Sequence, residues 1–285
     1  MLLADITTHL TPISDTPALD ASVLLAHIIN KPRTWVMAHP ELTLTIEQQK
    51  QLEDSLTRLE RGESFPYVLG HWEFFGLEFD VTPDVLIPRP ETELLVEKAV
   101  AWLQRFPERR SVVDIGTGSG AIAVSIAVNV PDIKILATDI SSKALQVAKQ
   151  NAEKHGASKQ IQFVECDVLP HPFSPLPVGE ESGVRPFDLL CANLPYIPTQ
   201  TLYSLAIFGK EPSLALDGGP DGLDLYRRLF SLAPDWMAVN GKLLLEIEST
   251  QGTTIITMAQ NIFNLAKIDL HKDLAGQDRL LEITL

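Results

Sequence analysis

From residue 111 onward, short apolar runs alternate with stretches whose apolar residues recur at helical spacing. Ser111 to Ile115 predicts a buried strand, and Ala121 to Asn129 predicts the helix that follows it. Further apolar runs at Ile133 to Thr138, Ile161 to Cys166 and Phe187 to Ala192 predict three more strands. This alternation predicts an α/β fold in which a parallel sheet carries helices on both faces.

The pattern changes near the C-terminus. Gly241 to Ile247 predicts one more strand, whereas Ile268 to Leu270 and Leu280 to Leu285 alternate apolar with polar or charged residues. We expect these last two segments to be antiparallel edge strands of the sheet. The segment Pro170 to Pro186 is rich in Pro, Ser, Gly and Glu, which predicts an irregular, mobile loop.

The first sixty or so residues predict helices only. Leu19, Val23 and Ala26 recur at helical spacing. Thr45 to Gln48 has the form of a capping box, which predicts the start of another helix. We therefore expect a small helical domain over residues 1–69. Its expected role is the docking of a protein substrate, with structural support as the alternative.

A short connector separates the helical region from the alternating region. The aromatic-rich segment Trp72 to Val81 predicts a β-hairpin, which we assign to a linker over residues 70–87. The main domain then covers residues 88–285. Its proline-rich first segment, Ile87 to Glu93, predicts an extended approach to a helix with acidic residues in its first turn. We expect Trp102 on the buried face of that helix.

Composition restricts the class of protein. The chain has 285 residues, of which 45% are hydrophobic and 21% charged, enough for one full α/β domain and a small accessory domain. Its net charge of −14 argues against a general DNA or RNA binder, which gains affinity from phosphates. The N-terminal sequence has the features of neither a signal peptide nor a membrane-spanning helix, so we expect a cytoplasmic protein.

Metal and nucleophile chemistry is not indicated by the sequence. The seven histidines are scattered, without a pair at metal-ligand spacing, so we expect no metal site. Cys166 and Cys191 both fall on predicted buried strands, where a thiol is a small apolar side chain. Neither a Walker-type phosphate loop nor a G-x-S-x-G elbow is present, which argues against an ATPase and a serine hydrolase.

A glycine-rich turn, Gly116 to Gly120, connects the strand at residue 111 to its helix. Glycines let the backbone pass close to a ligand, and the free N–H groups of the following helix point into the space above the sheet. The next strand is followed by Asp139, which can accept both hydroxyls of a ribose. However, Gly116, Gly118 and Ala121 also satisfy the G-x-G-x-x-G/A pattern of dinucleotide dehydrogenases. The turn alone therefore leaves a nicotinamide cofactor, or no ligand at all, as alternatives.

The tetrapeptide Asn193-Leu194-Pro195-Tyr196 directly follows the apolar run Phe187 to Ala192. Taken alone, Asn-X-Pro after a strand predicts a turn. It also places two amide acceptors and an aromatic face at the end of a buried strand, which suits a planar NH2 group. Together with Asp114, inside the strand before the glycines, it favours S-adenosylmethionine, because a hydride-transfer site does not need this tetrapeptide.

Several motifs follow one another in a characteristic order. They are Ile87 to Glu93, Asp114 to Gly120, Asp139, Asn193 to Tyr196, Glu211-Pro212 and Asp217-Gly218-Gly219. In order and content they resemble the HemK-type peptide chain release factor glutamine methyltransferases. The resemblance implies a class I methyltransferase (Rossmann-like) sheet with a helical N-terminal domain. It also implies methyl transfer from S-adenosylmethionine to the side-chain amide of the glutamine in the Gly-Gly-Gln motif of release factors, with S-adenosylhomocysteine as product.

The resemblance assigns roles by position. The implied cofactor-binding residues are Gly116, Thr117, Gly118, Ser119, Gly120, Asp139, Val168 and Asn193. Asp167, which follows the strand Ile161 to Cys166, is a further candidate for contact with the adenine, with an exposed loop acid as the alternative. The implied catalytic residues are Asn193, Leu194, Pro195 and Tyr196. Leu194 departs from the family pattern Asn-Pro-Pro-Tyr: it keeps the backbone carbonyl but loses the φ angle that a proline ring fixes. We expect a monomer that acts on release factors and does not bind nucleic acid or membranes directly.

Two other functions stay open from the sequence. The exocyclic amine of adenine is also a planar NH2 group, so a DNA or RNA adenine methyltransferase would suit the same acceptors. The acidic charge and the lack of an evident target-recognition domain count against it. A non-catalytic binding protein that retains a cofactor fold is the other alternative. For methyl transfer to an amide, we predict that no dedicated general base is needed.

Overall fold

The computed structural model describes residues 3–169 and 186–285. Except for Pro186, the loop predicted at Pro170 to Pro186 lies outside the described residues. The chain divides into one unit that ends at His71 and a second unit from Trp72 to Leu285.

The first unit consists of short helices around one apolar core. The helices are α1 (Leu3–Leu10), α2 (Pro17–Ile29), α3 (Arg33–Ala38), α4 (Ile46–Glu60) and α5 (Phe65–Leu69). The predicted capping box is confirmed at the start of α4: Gln48 N donates to Thr45 Oγ1 at 3.3 Å, and Thr45 N donates to Gln48 Oε1 at 3.0 Å. On α2, Leu24 and Leu25 are buried in the core, whereas Leu19 is 44% exposed.

The second unit begins within a β-hairpin, as the sequence predicts. Its strands are β1 (His71–Phe74) and β2 (Leu77–Asp80), joined by Phe75 and Gly76. These two residues have φ values of 52° and 71°, as in the type I′ turns that match the twist of a hairpin. Phe79 is buried in the core of this unit, which attaches the hairpin to the sheet domain.

The remaining strands and helices alternate along the chain, as predicted. The strands are β3 (Ser111–Ile115), β4 (Lys134–Asp139), β5 (Ile161–Glu165), β6 (Phe187–Ala192), β7 (Met237–Glu246), β8 (Lys267–Lys272) and β9 (Asp278–Thr284). The helices are α6 (Glu93–Arg105), α7 (Ala121–Asn129), α8 (Ser142–Lys154), α9 (Thr199–Leu202), α10 (Asp224–Leu232) and α11 (Gly252–Ile262). Short 3₁₀ helices cover Pro90–Thr92, Ser213–Ala215, Ala233–Asp235 and Ser249–Gln251.

Strands β3 to β9 form one sheet in the order β5-β4-β3-β6-β7-β9-β8. Strands β3 to β7 run parallel, and β9 is antiparallel to both β7 and β8. Of the two predicted edge strands, only β8 lies at the edge. The adjacent residues Leu280 and Leu281 of β9 are both buried, because this strand is covered on both faces.

The two faces of the sheet pack against different helices. On β3, Val112 packs in a core with residues of α6 and α7, whereas its neighbour Val113 packs in a core with residues of α10 and α11. The predicted α/β layering is therefore confirmed. The expectation for Trp102 is only partly right. The adjacent Leu103 is fully buried, whereas Trp102 is half-buried, with its ring centroid 5.8 Å from Lys242 Nζ. In residues 3–169 and 186–285, none of the helices has the length and apolarity needed to cross a membrane.

Candidate active site

A cavity of about 700 Å³ opens at the carboxyl edge of the parallel strands. It lies where the strand order reverses between β3 and β6, which is where open α/β sheets bind ligands. The predicted site residues that line this cavity are Gly116, Gly118, Asp139, Asp167, Val168, Asn193, Leu194 and Pro195. Four other predicted site residues do not line it: Thr117, Ser119, Gly120 and Tyr196.

The backbone of the glycine-rich turn forms one wall of the cavity. Gly116 and Gly118 have φ values of 69° and 55°, in the left-handed region that favours glycine. A Cβ atom added to Gly118 would meet only the carbonyl oxygen of Gly116, at 4.0 Å, among the described residues. A side chain there would therefore project into open space. The bare backbone of this turn leaves room for a ligand to approach closely.

Thr117, Ser119 and Gly120 are directed into the protein and shape the turn. Thr117 Oγ1 donates to Asp114 Oδ2 at 2.7 Å, and Ser119 is buried. A Cβ atom added to Gly120 would lie 3.2 Å from Ala148 Cβ on α8. Glycine at this position therefore allows close packing between the start of α7 and α8.

Two acidic side chains accompany the turn. Asp139 accepts hydrogen bonds from Gly118 N at 2.9 Å and from Ser141 N at 2.8 Å, one on each carboxylate oxygen. A carboxylate has about four lone-pair sites, so Asp139 keeps acceptor capacity for a ligand hydroxyl. Burial raises the pKa of Asp139 above its usual value, and burial raises the pKa of Asp114 to about 7.

Asp167 and Val168 form the part of the cavity wall that follows β5. Arg228 donates to the carboxylate of Asp167. Val168 has a φ of 66°, which is unfavourable for a β-branched residue, and its carbonyl oxygen accepts from Thr138 Oγ1 at 2.8 Å. Backbone strain of this kind is concentrated at ligand sites. Cys166 lines the same wall, and burial raises the pKa of its thiol to about 11, so it stays protonated at neutral pH.

The tetrapeptide adjoins the glycine-rich turn, because β6 is the neighbour of β3. A Cβ atom added to Gly116 would lie 3.3 Å from Leu194 Cδ2, so glycine at 116 makes room for the buried leucine. The hydroxyl of Tyr226 lies 3.5 Å from the Leu194 carbonyl oxygen and also donates to the Glu246 carbonyl oxygen. Because a carbonyl oxygen has two lone pairs, the Leu194 carbonyl can still accept a further hydrogen bond.

Asn193 and Tyr196 belong to a chain of hydrogen bonds that the sequence analysis missed. Asn193 Nδ2 donates to Thr92 Oγ1 at 3.0 Å, and Thr92 Oγ1 donates to Glu246 Oε2 at 2.5 Å. Tyr196 OH donates to Glu246 Oε1 at 3.3 Å. Thr92 and Glu246 are buried. The only sequence signal for Glu246 is an acidic residue at the end of the apolar run 243–245.

The backbone of the tetrapeptide is held in place by a glycine-rich loop and by Gln251. Gln251 Nε2 donates to the Tyr196 carbonyl oxygen at 2.9 Å. A Cβ atom added to Gly222 would lie 2.1 Å from that oxygen, and one added to Gly218 would lie 2.7 Å from the Pro195 carbonyl oxygen. Only glycine fits at these two positions, which gives the Asp217-Gly218-Gly219 motif and its continuation a structural explanation.

The proline-rich segment before α6 is also anchored to the site. Glu211 is buried and accepts hydrogen bonds from Arg89 Nη2 at 2.5 Å and from Ile87 N at 3.1 Å. This pairing gives a structural reason for Arg89 in the proline-rich segment and for the remote Glu211-Pro212 motif. It also fixes the segment that carries Thr92.

Two parts of the chain match known protein families. A family profile described as PrmC N-terminal domain matches residues 2–70, and one described as Methyltransferase domain matches residues 108–216. The human methyltransferase 10 domain containing protein has a TM-score of 0.50 at 16% identity, covering 85% of this chain and 98% of that chain. The hMettl16 catalytic domain, solved with an RNA hairpin, has a TM-score of 0.54 at 15% identity, covering 85% of this chain and 82% of that chain. These structures confirm the predicted methyltransferase fold.

Two curated relatives are much more similar in sequence. The release factor glutamine methyltransferase of Moorella thermoacetica is 40% identical, over 93% of this chain and 90% of that protein. The protein of the same name from Coxiella burnetii is 38% identical, over 97% of this chain and 95% of that protein. The chain therefore belongs to the release factor glutamine methyltransferase family.

Proposed function

We propose that this protein transfers a methyl group from S-adenosylmethionine to the side-chain amide nitrogen of the glutamine in the Gly-Gly-Gln motif of peptide chain release factors. Membership of the family supports this reaction. The observation that carries it is the position of Asn193, which lines the cavity next to the glycine-rich turn and whose carboxamide donates to Thr92 Oγ1 at 3.0 Å. Such a site suits a flat amide group.

The cavity wall suits the cofactor in shape and in polar groups. The backbone of Gly116 and Gly118 would lie against the methionine and ribose portion, with open space beside Gly118, and Asp139 would accept the ribose hydroxyls. Asp167 and Val168 would lie next to the adenine. When bound, S-adenosylmethionine supplies an electrophilic methyl group on a sulfonium. Thr117, Ser119 and Gly120 would contribute by maintaining the turn.

The acceptor side must overcome the low reactivity of an amide nitrogen, whose lone pair is delocalised into the carbonyl. Asn193 Oδ1 and the Leu194 carbonyl oxygen would accept its two N–H groups, which orients the nitrogen. Pro195 restricts the backbone of Leu194 to an extended conformation. Tyr196 directly follows Pro195 but does not line the cavity, so its ring would pack on the flat amide only where the substrate extends past Pro195. Positive charge that develops on the nitrogen strengthens both hydrogen bonds, so part of their energy is realised only in the transition state. No general base is required before methyl transfer, and the methylated nitrogen loses one proton to water afterwards.

The remaining parts of the proposal concern the whole chain. Residues 1–69 would dock the release factor, residues 70–87 would link the two parts, and residues 88–285 would carry the chemistry. The protein would act as a cytoplasmic monomer, without binding nucleic acid or membranes directly. The net charge of −14 supports a protein acceptor over a polyanionic one.

The test is a methyl-transfer assay with methyl-labelled S-adenosylmethionine and parallel acceptors. These are a release factor, the same factor with its Gly-Gly-Gln glutamine replaced by alanine, an unrelated glutamine-rich protein, and DNA. We expect label only in the intact release factor, on the glutamine side chain by peptide mass spectrometry. Label in DNA would favour an adenine methyltransferase, and label in none of the acceptors would favour a binding protein.

A further inference from the structure

The carboxamide of Asn193 can take two orientations that exchange Nδ2 and Oδ1. In one orientation Oδ1 is available to an N–H donor in the cavity, and in the other an NH2 group would face that donor and repel it. In the structure Nδ2 is the atom bound to Thr92, since it donates to Thr92 Oγ1 at 3.0 Å. Oδ1, on the opposite branch of the planar group, is the atom left for a substrate.

The hydroxyl proton of Thr92 decides which orientation is stable. Thr92 Oγ1 donates this proton to Glu246 Oε2 at 2.5 Å, so toward Asn193 it can only accept. A Thr92 hydroxyl that did not need to donate to Glu246 could donate to Asn193 Oδ1 instead, and the reversed carboxamide would then also be satisfied. The carboxylate of Glu246 is the final acceptor, and it therefore sets the direction of both hydrogen bonds in the series Asn193–Thr92–Glu246.

We propose that Glu246, acting through Thr92, is a positioning residue that keeps Asn193 Oδ1 available to the substrate amide. The inference rests on the proposed function. Glu246 does not line the cavity, so its effect is indirect. Its other carboxylate oxygen accepts from Tyr196 OH at 3.3 Å, so one buried acid orients both the acceptor and the aromatic face.

The mechanism predicts a dependence on pH. Glu246 is surrounded by Thr92, Tyr196, the cation of Arg279 and the acid of Glu91, and burial raises its pKa to about 7. Above this pH the carboxylate accepts from Thr92. Below it, the protonated carboxyl can donate to Thr92 and release the threonine proton toward Asn193. We expect kcat to fall as the pH drops through about 7 in the wild type and to be low and flat with pH in Glu246→Gln.

The test uses the full chain with matched variants. Glu246→Gln keeps the side-chain shape but can donate to Thr92, and Thr92→Val keeps the shape but removes the hydroxyl. We expect each to lower kcat by about tenfold or more, with the Kd of S-adenosylhomocysteine changed by less than about threefold. Thr92→Ser retains the hydroxyl and is expected to keep most of kcat. The effects of Glu246→Gln and Thr92→Val on kcat should not add in the double variant, because both substitutions disrupt the same series of hydrogen bonds.

A second readout is independent of turnover. The chain has seven asparagines, so nitrogen-15 labelling of asparagine gives few side-chain NH2 signals, and the Asn193 signal is the one lost in Asn193→Asp. We expect this signal to shift in Glu246→Gln and Thr92→Val and to stay near its wild-type position in Thr92→Ser.

The outcomes separate the two proposals. Wild-type kcat with an unshifted Asn193 signal in both Glu246→Gln and Thr92→Val overturns the positioning role and leaves the proposed function intact. A wild-type protein that methylates no release factor, but whose Asn193 signal responds as expected, overturns the proposed function alone. If Glu246→Gln does not fold, a comparison of Thr92→Val with Thr92→Ser still tests the positioning role. Equal kcat values and equal Asn193 signals in these two variants would contradict a role for the Thr92 hydroxyl.

Discussion

The two turns that line the cavity are stabilised in different ways. In the glycine-rich turn, Thr117 bonds to Asp114 and Gly118 bonds to Asp139, at separations of 3 and 21 residues. In the tetrapeptide, Asn193 bonds to Thr92 and Tyr196 bonds to Glu246, at separations of 101 and 50 residues. The glycine-rich turn, on the proposed cofactor side of the cavity, is therefore held by residues near it in sequence, whereas the tetrapeptide, on the proposed acceptor side, is held by remote segments.

This difference separates the expected effects of mutation. Changes in the glycine-rich turn and at Asp139 should act mainly on cofactor binding. Changes in the tetrapeptide and its remote partners should act mainly on the rate of methyl transfer, because they alter the orientation of the acceptors and leave the cofactor wall unchanged.

The largest effect is expected from Asn193→Ala, which removes the side-chain acceptor. We expect kcat to fall by about two orders of magnitude or more, as for lost transition-state hydrogen bonds, with a smaller change in cofactor Kd. Steady-state kinetics and calorimetry measure the two quantities. Asn261→Ala, at an exposed position on α11, is the matched control and should behave as the wild type. Near-normal turnover in Asn193→Ala would remove this residue from the mechanism.

Asp139→Ala should affect the opposite side of the cavity. Loss of a charged hydrogen-bond acceptor costs about 1.5 to 3 kcal/mol, so we expect the Kd of S-adenosylhomocysteine to rise by about tenfold to a hundredfold. The change in kcat at saturating cofactor should be smaller. Calorimetric titration measures the Kd. An unchanged Kd with a reduced kcat would show that Asp139, like the tetrapeptide, acts on the rate of methyl transfer and not on cofactor binding.

Gly222→Ala tests the remote support of the tetrapeptide. The new Cβ would lie 2.1 Å from the Tyr196 carbonyl oxygen. Gly209→Ala is the matched control, since its φ of 77° is close to the 79° of Gly222 and no atom of residues 3–169 and 186–285 lies within 4 Å of its added Cβ. We expect the free energy of unfolding to fall by about 1 to 3 kcal/mol more in Gly222→Ala than in the control. Equal denaturation midpoints for Gly222→Ala and Gly209→Ala would show that the close approach of residue 222 to the Tyr196 carbonyl oxygen does not require glycine.

The smallest effect is expected from Leu194→Pro, which restores the family pattern. A proline ring would fix φ and preorganise the carbonyl acceptor, and the gain is limited to a part of the roughly 1 kcal/mol of entropy that fixing one residue's backbone costs. We expect kcat to stay at the wild-type value or to rise by up to about fivefold. Single-turnover kinetics at saturating cofactor would measure it. A large loss would show that the buried leucine packed beside Gly116 is needed for the geometry of the acceptor side.

Local pattern was sufficient for much of the fold. The strands at Ser111–Ile115 and Phe187–Ala192, the helix Ala121–Asn129 and the capping box at Thr45 lie where the sequence predicts them. Each depends on interactions within a few residues, namely a run of apolar side chains, a helical period or a cap, and these are visible in any short window of the chain.

The local sequence pattern did not predict which face of a helix is buried or which strand lies at the edge of the sheet. Leu19 continues the helical spacing of α2 but is exposed, and β9 alternates like an edge strand but lies inside the sheet. Periodicity identifies an amphipathic face or a strand, but it does not specify which neighbour will cover it. That depends on the packing of segments far apart in the chain.

The same division holds for the site. The sequence by itself determined the glycine-rich turn, Asp139 and the position of Asn193 after β6, because these follow directly from the ends of predicted strands. Only the tertiary structure decided that Thr92 and Glu246 orient Asn193, since these residues meet only when β7 pairs beside β6 and the segment before α6 reaches the same edge. Hydrogen-bond direction depends on atoms brought together by folding, and no sequence spacing encodes it.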